Sequence, residues 1–222
     1  ERQHVDLEVL GDLVDLARVG QHVVAVAEKV DQQRARLRLL QWLADAGVPC
    51  SVANDYRDLG TWLPISRLLV SYTAGPCLDD AQCEQVEAWM AAGGRWLALH
   101  GASGGKAERI PGSERRRMVR LRHHDVLGGF FLNHPPVRRF RVDVADAGHP
   151  VTAGVDASFE VIDEPYMVEL LAPQHSRVLL TAALGPDDSH PMFAFAYDRD
   201  TALLPDGRTR VIGYERPAGE GG

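Results

Sequence analysis

The chain has few cysteines and lacks a long apolar run. Its three cysteines, Cys50, Cys77 and Cys83, are an odd number without the CxxC spacing of a metal site. We therefore expect free thiols in a reducing compartment. No stretch approaches the about 20 apolar residues that span a bilayer, and no signal-peptide pattern opens the sequence. These absences predict a cytoplasmic protein without a membrane partner.

The chain also lacks an excess of positive charge. It has 24 Lys and Arg against 31 Asp and Glu, which gives a formal net charge of -7. Such a molecule is not attracted as a whole to nucleic acid or to an anionic membrane. With 222 residues, 45% of them apolar, the chain is long enough for one substantial core, as one large domain or two small ones. We expect a globular protein with a small-molecule ligand, and its state as monomer or homo-oligomer stays open.

Motifs for several common chemistries are missing. Neither GxGxxG nor a P-loop pattern occurs, which disfavours the usual nucleotide sites. Ser103 has no evident acid–base partner in the sequence, which disfavours a serine hydrolase.

Apolar runs alternate with helical patterns in the first half of the chain. The runs predict strands at residues 21–27, 48–52, 68–72 and 96–99, and helices at 31–46 and 79–92. This alternation predicts βαβ units, and therefore an α/β fold with a doubly wound, mostly parallel sheet. Residues 1–20 have the spacing of an amphipathic helix and are interpreted as an appendage to a domain at 21–222.

The second half is less regular. Residues 106–122 are dense in arginine and glycine, and we expect an exposed excursion with a short helix near Met118. A solvated charged face is favoured there over phosphate binding. Further strands are predicted at 140–144, 178–180, 192–197 and 211–214.

The stretch 93–105 is the most informative in the sequence. Gly93-Gly94 ends a helix, and the apolar run after it is typical of a central strand covered on both faces. His100 follows at the carboxyl end of that strand, where open α/β sheets bind their ligands. A class I glutamine amidotransferase has a cysteine nucleophile at such an elbow. Imidazole can act there as a general base, hydrogen-bond donor or metal ligand, and the alternative is a histidine satisfied by backbone partners.

Other candidates are His123, His124, His134 and Glu164. The prolines of Asn133-His134-Pro135-Pro136 fix the loop and so pre-organise the ring of His134. A divalent metal held by His100, His124 or His134 with Glu164 stays an alternative, although the spacing matches no compact metal motif.

Several blocks in order resemble the trehalose-utilisation (ThuA-like) family over residues 21–222. They are residues 69–73, 92–94, 98–102, 124–129, 133–136, 149–154, 163–166 and 190–191. The resemblance implies a flavodoxin-like, three-layer domain of the class I glutamine amidotransferase type that has lost the cysteine. The family has a glycine- and histidine-containing loop where this chain has residues 27–31, and a last strand ending in Gly-His that we expect this domain to lack.

The resemblance also implies a ligand and a site. It implies a carbohydrate-related protein that acts on or binds a disaccharide or keto-sugar, with a non-catalytic sugar-binding or interaction module as the alternative. The catalytic residues would be His100, His134 and Glu164. The substrate-binding residues would be Tyr72, Thr73, Gly101, Ala102, Ser103 and His124.

Overall fold

The structure, a computed structural model, describes residues 22–27, 30–73, 75–114, 116–184, 195–197 and 209–218. They form two compact units. The amino-terminal unit contains the described residues up to Gly104, together with 122–127 and 217–218, and the carboxyl-terminal unit contains those at 105–121 and 128–216. The appendage predicted at 1–20, and residues 192–194 of a predicted strand, lie outside the described residues.

The amino-terminal unit is built on a parallel sheet in the order β2-β1-β3-β4. Its strands are β1 (His22–Ala27), β2 (Cys50–Ala53), β3 (Ser66–Tyr72) and β4 (Arg95–Ala98). Its helices are α1 (Val30–Asp45), α2 (Leu59–Trp62), α3 (Asp80–Ala91) and α4 (Arg122–Leu127). This sheet confirms the predicted parallel βαβ arrangement. None of the described helices is long and apolar enough to cross a membrane.

The two inner strands of this sheet are covered on both faces. Neighbouring residues of a strand point to opposite faces, and Val23 and Val24 of β1 belong to two different apolar clusters. Val24 packs with Val86 of α3, and Val23 packs with Leu43 of α1. Double coverage by helices is what a parallel sheet requires.

The expectation that β4 is a central strand was wrong. Among the described strands, β4 is an edge of the sheet, and its residues Trp96, Leu97 and Ala98 are half-buried. An apolar run indicates burial but does not reveal how many neighbours a strand has.

Both ends of α3 follow from local sequence signals. Asp79 Oδ1 accepts the Gln82 backbone N–H (2.8 Å), and Gln82 Oε1 accepts the Asp79 backbone N–H (3.0 Å), which forms a capping box. Gly93 follows the helix with a φ of 95°. Glycine adopts this left-handed conformation without a Cβ clash, so the predicted helix end is confirmed.

The carboxyl-terminal unit is largely antiparallel, which corrects the expectation of a mostly parallel sheet. Its strands are β5 (Lys106–Arg109), β6 (Arg116–Val119), β7 (Gly129–Asn133), β8 (Arg138–Val144), β9 (Ser158–Asp163), β10 (Met167–Leu170), β11 (Arg177–Ala183), β12 (Phe195–Tyr197) and β13 (Thr209–Glu215). They form sheets in the orders β13-β11-β8-β9, β10-β7 and β12-β6-β5. Only the β12–β6 pair is parallel among these described pairs. Antiparallel strands with one solvated face alternate in polarity, as β8 does.

The short helix expected near Met118 is a strand. β5 and β6 form an antiparallel pair in which Met118 lies opposite Ala107. Met118 is 2% exposed and packs in a cluster with Phe130 and Phe131. The arginines around Met118 hide the strand alternation from the sequence pattern.

Gly94 provides a test of the packing between α3 and the sheet. A Cβ at residue 94 would overlap the indole ring of Trp89, whose Nε1–H donates to the Ser66 carbonyl at 3.0 Å. We expect Gly94→Ala to displace this ring and to lower the free energy of unfolding by about 1–3 kcal/mol. Chemical denaturation measures the change.

Gly60→Ala is the matched control, because a Cβ at residue 60 would meet Gln85 Oε1 at an ordinary contact distance of 3.6 Å. Because Gly60 lies in α2, where alanine is the better helix former, we expect the stability of this variant to be unchanged or up to about 1 kcal/mol higher than that of the wild type. Equal stabilities of the two variants would contradict the overlap with Trp89.

Candidate functional site

The elbow turn, residues 99–104, follows the end of β4. Leu99 is extended, and a 3-10 turn begins at His100 and ends at Ser103. His100 has a φ of 47° and is the only non-glycine residue with a positive φ among the residues that the structure describes. Such a conformation costs about 1–3 kcal/mol and is found mainly at functional sites. The sequence predicts His100 at an elbow, and the structure shows that the backbone at His100 is strained.

Main-chain and side-chain hydrogen bonds stabilise the elbow turn. The Leu99 N–H donates to the Ser71 carbonyl of β3 (2.8 Å), which anchors the start of the turn. The Ala102 N–H donates to the Leu99 carbonyl (3.0 Å), and Ser103 Oγ donates to the His100 carbonyl (2.7 Å). The turn is therefore tied both to the sheet and to itself.

Two adjacent histidines of α4 hold the far side of the elbow turn. His123 Nε2 lies 2.9 Å from the Ala102 carbonyl oxygen, and His124 Nε2 lies 3.1 Å from that of Gly104. A carbonyl oxygen only accepts, so each Nε2 carries the hydrogen. The two side chains are 1% and 0% exposed. Both rings therefore position the backbone of the elbow turn.

The protonation state of His123 is fixed by its two partners. Its Nδ1 accepts the Leu78 backbone N–H at 3.1 Å, so this nitrogen carries no hydrogen and the ring is neutral. The pKa of His123 is lowered to about 4, chiefly by burial and to a smaller extent by the neighbouring His124, while the hydrogen bond to Ala102 opposes this change. Protonation of Nδ1 would place its new hydrogen directly against the hydrogen of the Leu78 N–H.

The predicted binding residues of this unit differ in exposure. His100, Gly101, Ser103 and Tyr72 are half-buried, and the ring centroids of Tyr72 and His100 lie 5.8 Å apart. Ala102, Thr73 and His124 are buried. The structure thus brings all the predicted residues of the amino-terminal unit to the end of β3 and the elbow turn. Their roles in binding stay predictions.

None of the cysteines lies at the elbow. Cys50 is in β2, Cys83 is in α3, Cys77 lies in the loop before α3, and all three are free. Burial raises the pKa of the Cys50 and Cys77 thiols and raises that of Cys83 to about 11. The thiolate is the nucleophilic form, so these environments do not activate a cysteine.

His134 and Glu164 form a pair in the carboxyl-terminal unit. His134 follows β7, and Asn133 Oδ1 accepts its backbone N–H at 2.8 Å. Its Nδ1 lies 2.8 Å from the Pro135 carbonyl oxygen and 3.9 Å from Glu164 Oε1. The carbonyl oxygen only accepts, so Nδ1 carries the hydrogen and Nε2 is the nitrogen that can take up a proton. A protonated ring would form an ion pair with Glu164.

Aromatic rings surround His134. The Tyr166 ring stacks on the imidazole with centroids 5.4 Å apart and an interplanar angle of 28°. Phe131 lies 6.0 Å from the imidazole and 4.6 Å from the Tyr166 ring. The sequence reasoning did not single out the Tyr166 side chain, although it stands only two residues after Glu164.

A metal remains only one of the alternatives for these residues. Among the described residues, no three or more His, Cys, Asp or Glu side chains form a group that could hold a metal ion. A histidine–carboxylate pair also transfers protons without a metal, and the His134–Glu164 pair has the composition for that chemistry.

The parallel sheet and the elbow turn define an α/β protein with an imidazole just after the end of β4. The family model for ThuA, trehalose utilisation, matches residues 27–210. The chain belongs to this family, which confirms the resemblance drawn from its sequence.

One solved structure supports the fold. A putative ThuA-like protein from Bacteroides uniformis matches with a TM-score of 0.64 and 18% identity, over 89% of this chain and 78% of that chain. A second one, from Parabacteroides merdae, has a TM-score of 0.48 and 15% identity, over 73% and 68% of the two chains. A search of curated proteins found no match.

The neutral His123 predicts a pH dependence of stability. The ordinary histidine pKa is 6.5 and that of folded His123 is about 4, so the unfolded chain binds more protons between these values. The stability that His123 contributes is therefore present above pH 6.5 and falls as the pH drops toward 4. Over that range we expect a loss of about 3 kcal/mol, measured by urea denaturation.

His123→Gln keeps an acceptor and a donor but does not titrate, so its stability should lack this part of the pH dependence. The control His175→Gln replaces an exposed histidine and should follow the wild type. If His123→Gln and the wild type lost the same free energy between pH 6.5 and 4, the assignment of the neutral ring would be wrong.

Proposed function

We propose that the protein acts on a disaccharide or keto-sugar through histidine and carboxylate acid–base groups. The family, described as trehalose utilisation, supports a carbohydrate-related role. The observation that carries the proposal is the His134–Glu164 pair, because its hydrogen-bonded ring has a defined nitrogen for proton transfer.

The chemistry of the pair follows from its geometry. Nε2 of the neutral His134 ring would remove a proton from a sugar hydroxyl, or from a carbon next to a ketone. The resulting imidazolium would be stabilised by Glu164, while the Pro135 carbonyl holds the ring orientation through Nδ1. The stacked Tyr166 restricts rotation of the imidazole.

His100 is proposed as a further polar or acid–base residue. The elbow turn keeps it in a strained conformation, and strain that persists in a fold is a sign of function. The substrate-binding residues proposed around it are Tyr72, Thr73, Gly101, Ala102, Ser103 and His124.

A non-catalytic sugar-binding module is the second candidate. Ser103 Oγ and His124 Nε2 are both hydrogen-bonded to carbonyls of the elbow turn itself. Groups engaged in this way support the backbone, which favours a binding surface over a reactive centre in the amino-terminal unit.

Turnover of trehalose and of its keto derivative tests the proposal. We expect His134→Gln and Glu164→Gln each to lower kcat by about 100-fold or more, with a much smaller change in KM. Glu160→Gln is the control, because this exposed carboxylate is paired with Arg139 (3.1 Å) on another strand of the same unit.

The outcomes separate the two candidates. Saturable binding of either sugar without turnover would assign the protein as a binding module. If the wild type neither bound nor converted these sugars, both candidates would be rejected.

The strain at His100 gives an independent test. His100→Ala and His100→Gly both remove the imidazole, but only glycine adopts a positive φ without strain. We expect the glycine variant to be about 1 kcal/mol more stable than the alanine variant, measured by chemical denaturation. Both variants should bind the sugar more weakly than the wild type. If the alanine variant were as stable as the glycine variant, the backbone at residue 100 would not be strained.

A further inference from the structure

The β5–β6 hairpin concentrates positive charge in a chain whose net charge is -7. β5 contains Lys106 and Arg109, and β6 contains Arg116 and Arg117. The acidic side chains of this region are Glu108 in β5 and Glu114 in the turn. The question is whether these charges are merely solvated or are arranged for a ligand.

The strand register brings two arginines together. Arg109 lies directly opposite Arg116 in the antiparallel pair, and both are exposed. Directly opposite residues have Cβ atoms about 5 Å apart. They share the face of Ala107 and Met118, which pack on the core, because residues two apart point to the same side. Like charges in this position destabilise a hairpin.

No described carboxylate neutralises the two arginines. Neither Arg109 nor Arg116 forms a salt bridge with a residue in the part of the chain that the structure describes. Glu108 pairs with Lys106 (3.2 Å) and lies opposite Arg117, on the other face of the hairpin. The nearest acidic side chain of β5 therefore points away from the arginine pair.

We propose that Arg109 and Arg116 bind the phosphate group of a small phosphate monoester. A phosphate monoester carries nearly two negative charges and three acceptor oxygens, which match two opposed guanidinium groups. A single carboxylate would balance only one of the two charges. Guanidinium is also the side-chain group whose planar fork fits phosphate oxygens bidentately. This proposal is independent of the proposed action on neutral sugars.

Calorimetric titration of the full chain with glucose 6-phosphate at low ionic strength tests the site. We expect saturable binding of glucose 6-phosphate and none of glucose at the same concentrations. Arg109→Gln and Arg116→Gln should each weaken binding about tenfold or more, because each removes charged hydrogen bonds to phosphate. The control Arg139→Gln removes an exposed arginine that is paired with Glu160, and should bind like the wild type.

Stability without ligand is the second readout. Removing one of two opposed positive charges relieves repulsion, so each glutamine variant should have a Tm equal to or above that of the wild type. At the same concentration, glucose 6-phosphate should raise the Tm of the wild type and of Arg139→Gln more than that of Arg109→Gln or Arg116→Gln. This readout also shows that the variants are folded.

Three results would overturn the proposal. The first is no binding of glucose 6-phosphate to the wild type, and the second is equal affinity in the wild type and both glutamine variants. The third is binding of an RNA oligonucleotide that is tighter than that of glucose 6-phosphate and is lost in Arg109→Gln, since this would assign the arginine pair to a polyanion.

Discussion

Two imidazole hydrogen bonds to main-chain carbonyls keep the elbow turn in a conformation that its own residues disfavour. The left-handed His100 costs about 1–3 kcal/mol, and a buried hydrogen bond contributes about 1 kcal/mol net. The bonds from His123 and His124 to the turn are therefore of the same order as the strain that they offset. Both donors are buried, and His123 is neutral, so its hydrogen bond to the elbow turn requires no buried charge.

The two units carry different kinds of candidate chemistry. In the parallel unit the main feature is a strained backbone that presents one imidazole beside Tyr72. In the antiparallel unit it is a histidine with a defined tautomer, beside Glu164 and stacked on Tyr166. Sugars have both hydroxyl groups and apolar ring faces, so polar groups next to aromatic rings suit them. Membership of the trehalose-utilisation family is consistent with both arrangements.

What could be predicted from the sequence was mainly local. The helix predicted at 79–92 and ended by Gly93-Gly94 is confirmed as α3, whose two ends the structure shows at a capping box on Asp79 and a left-handed Gly93. The strand character around Met118 could not be recognised, because its burial comes from tertiary packing. The stack of Tyr166 on His134 likewise depends on the pairing of β10 with β7. Such pairings join distant parts of the chain, and no local pattern encodes them.

The amino-terminal unit is not continuous in sequence, and this affects the order in which its parts fold during synthesis. Its last helix, α4, returns only after residues 105–121 have been laid down in the other unit. A nascent chain that has reached Gly104 contains the four described strands of the parallel sheet. It still lacks His123 and His124, which form hydrogen bonds to the elbow turn. Domains tend to fold as they emerge during synthesis. The elbow turn around His100 therefore reaches its final conformation later than the parallel sheet that it follows. A gene fragment that ends at Gly104 would lack both histidines and also Val126, which belongs to the core of the sheet.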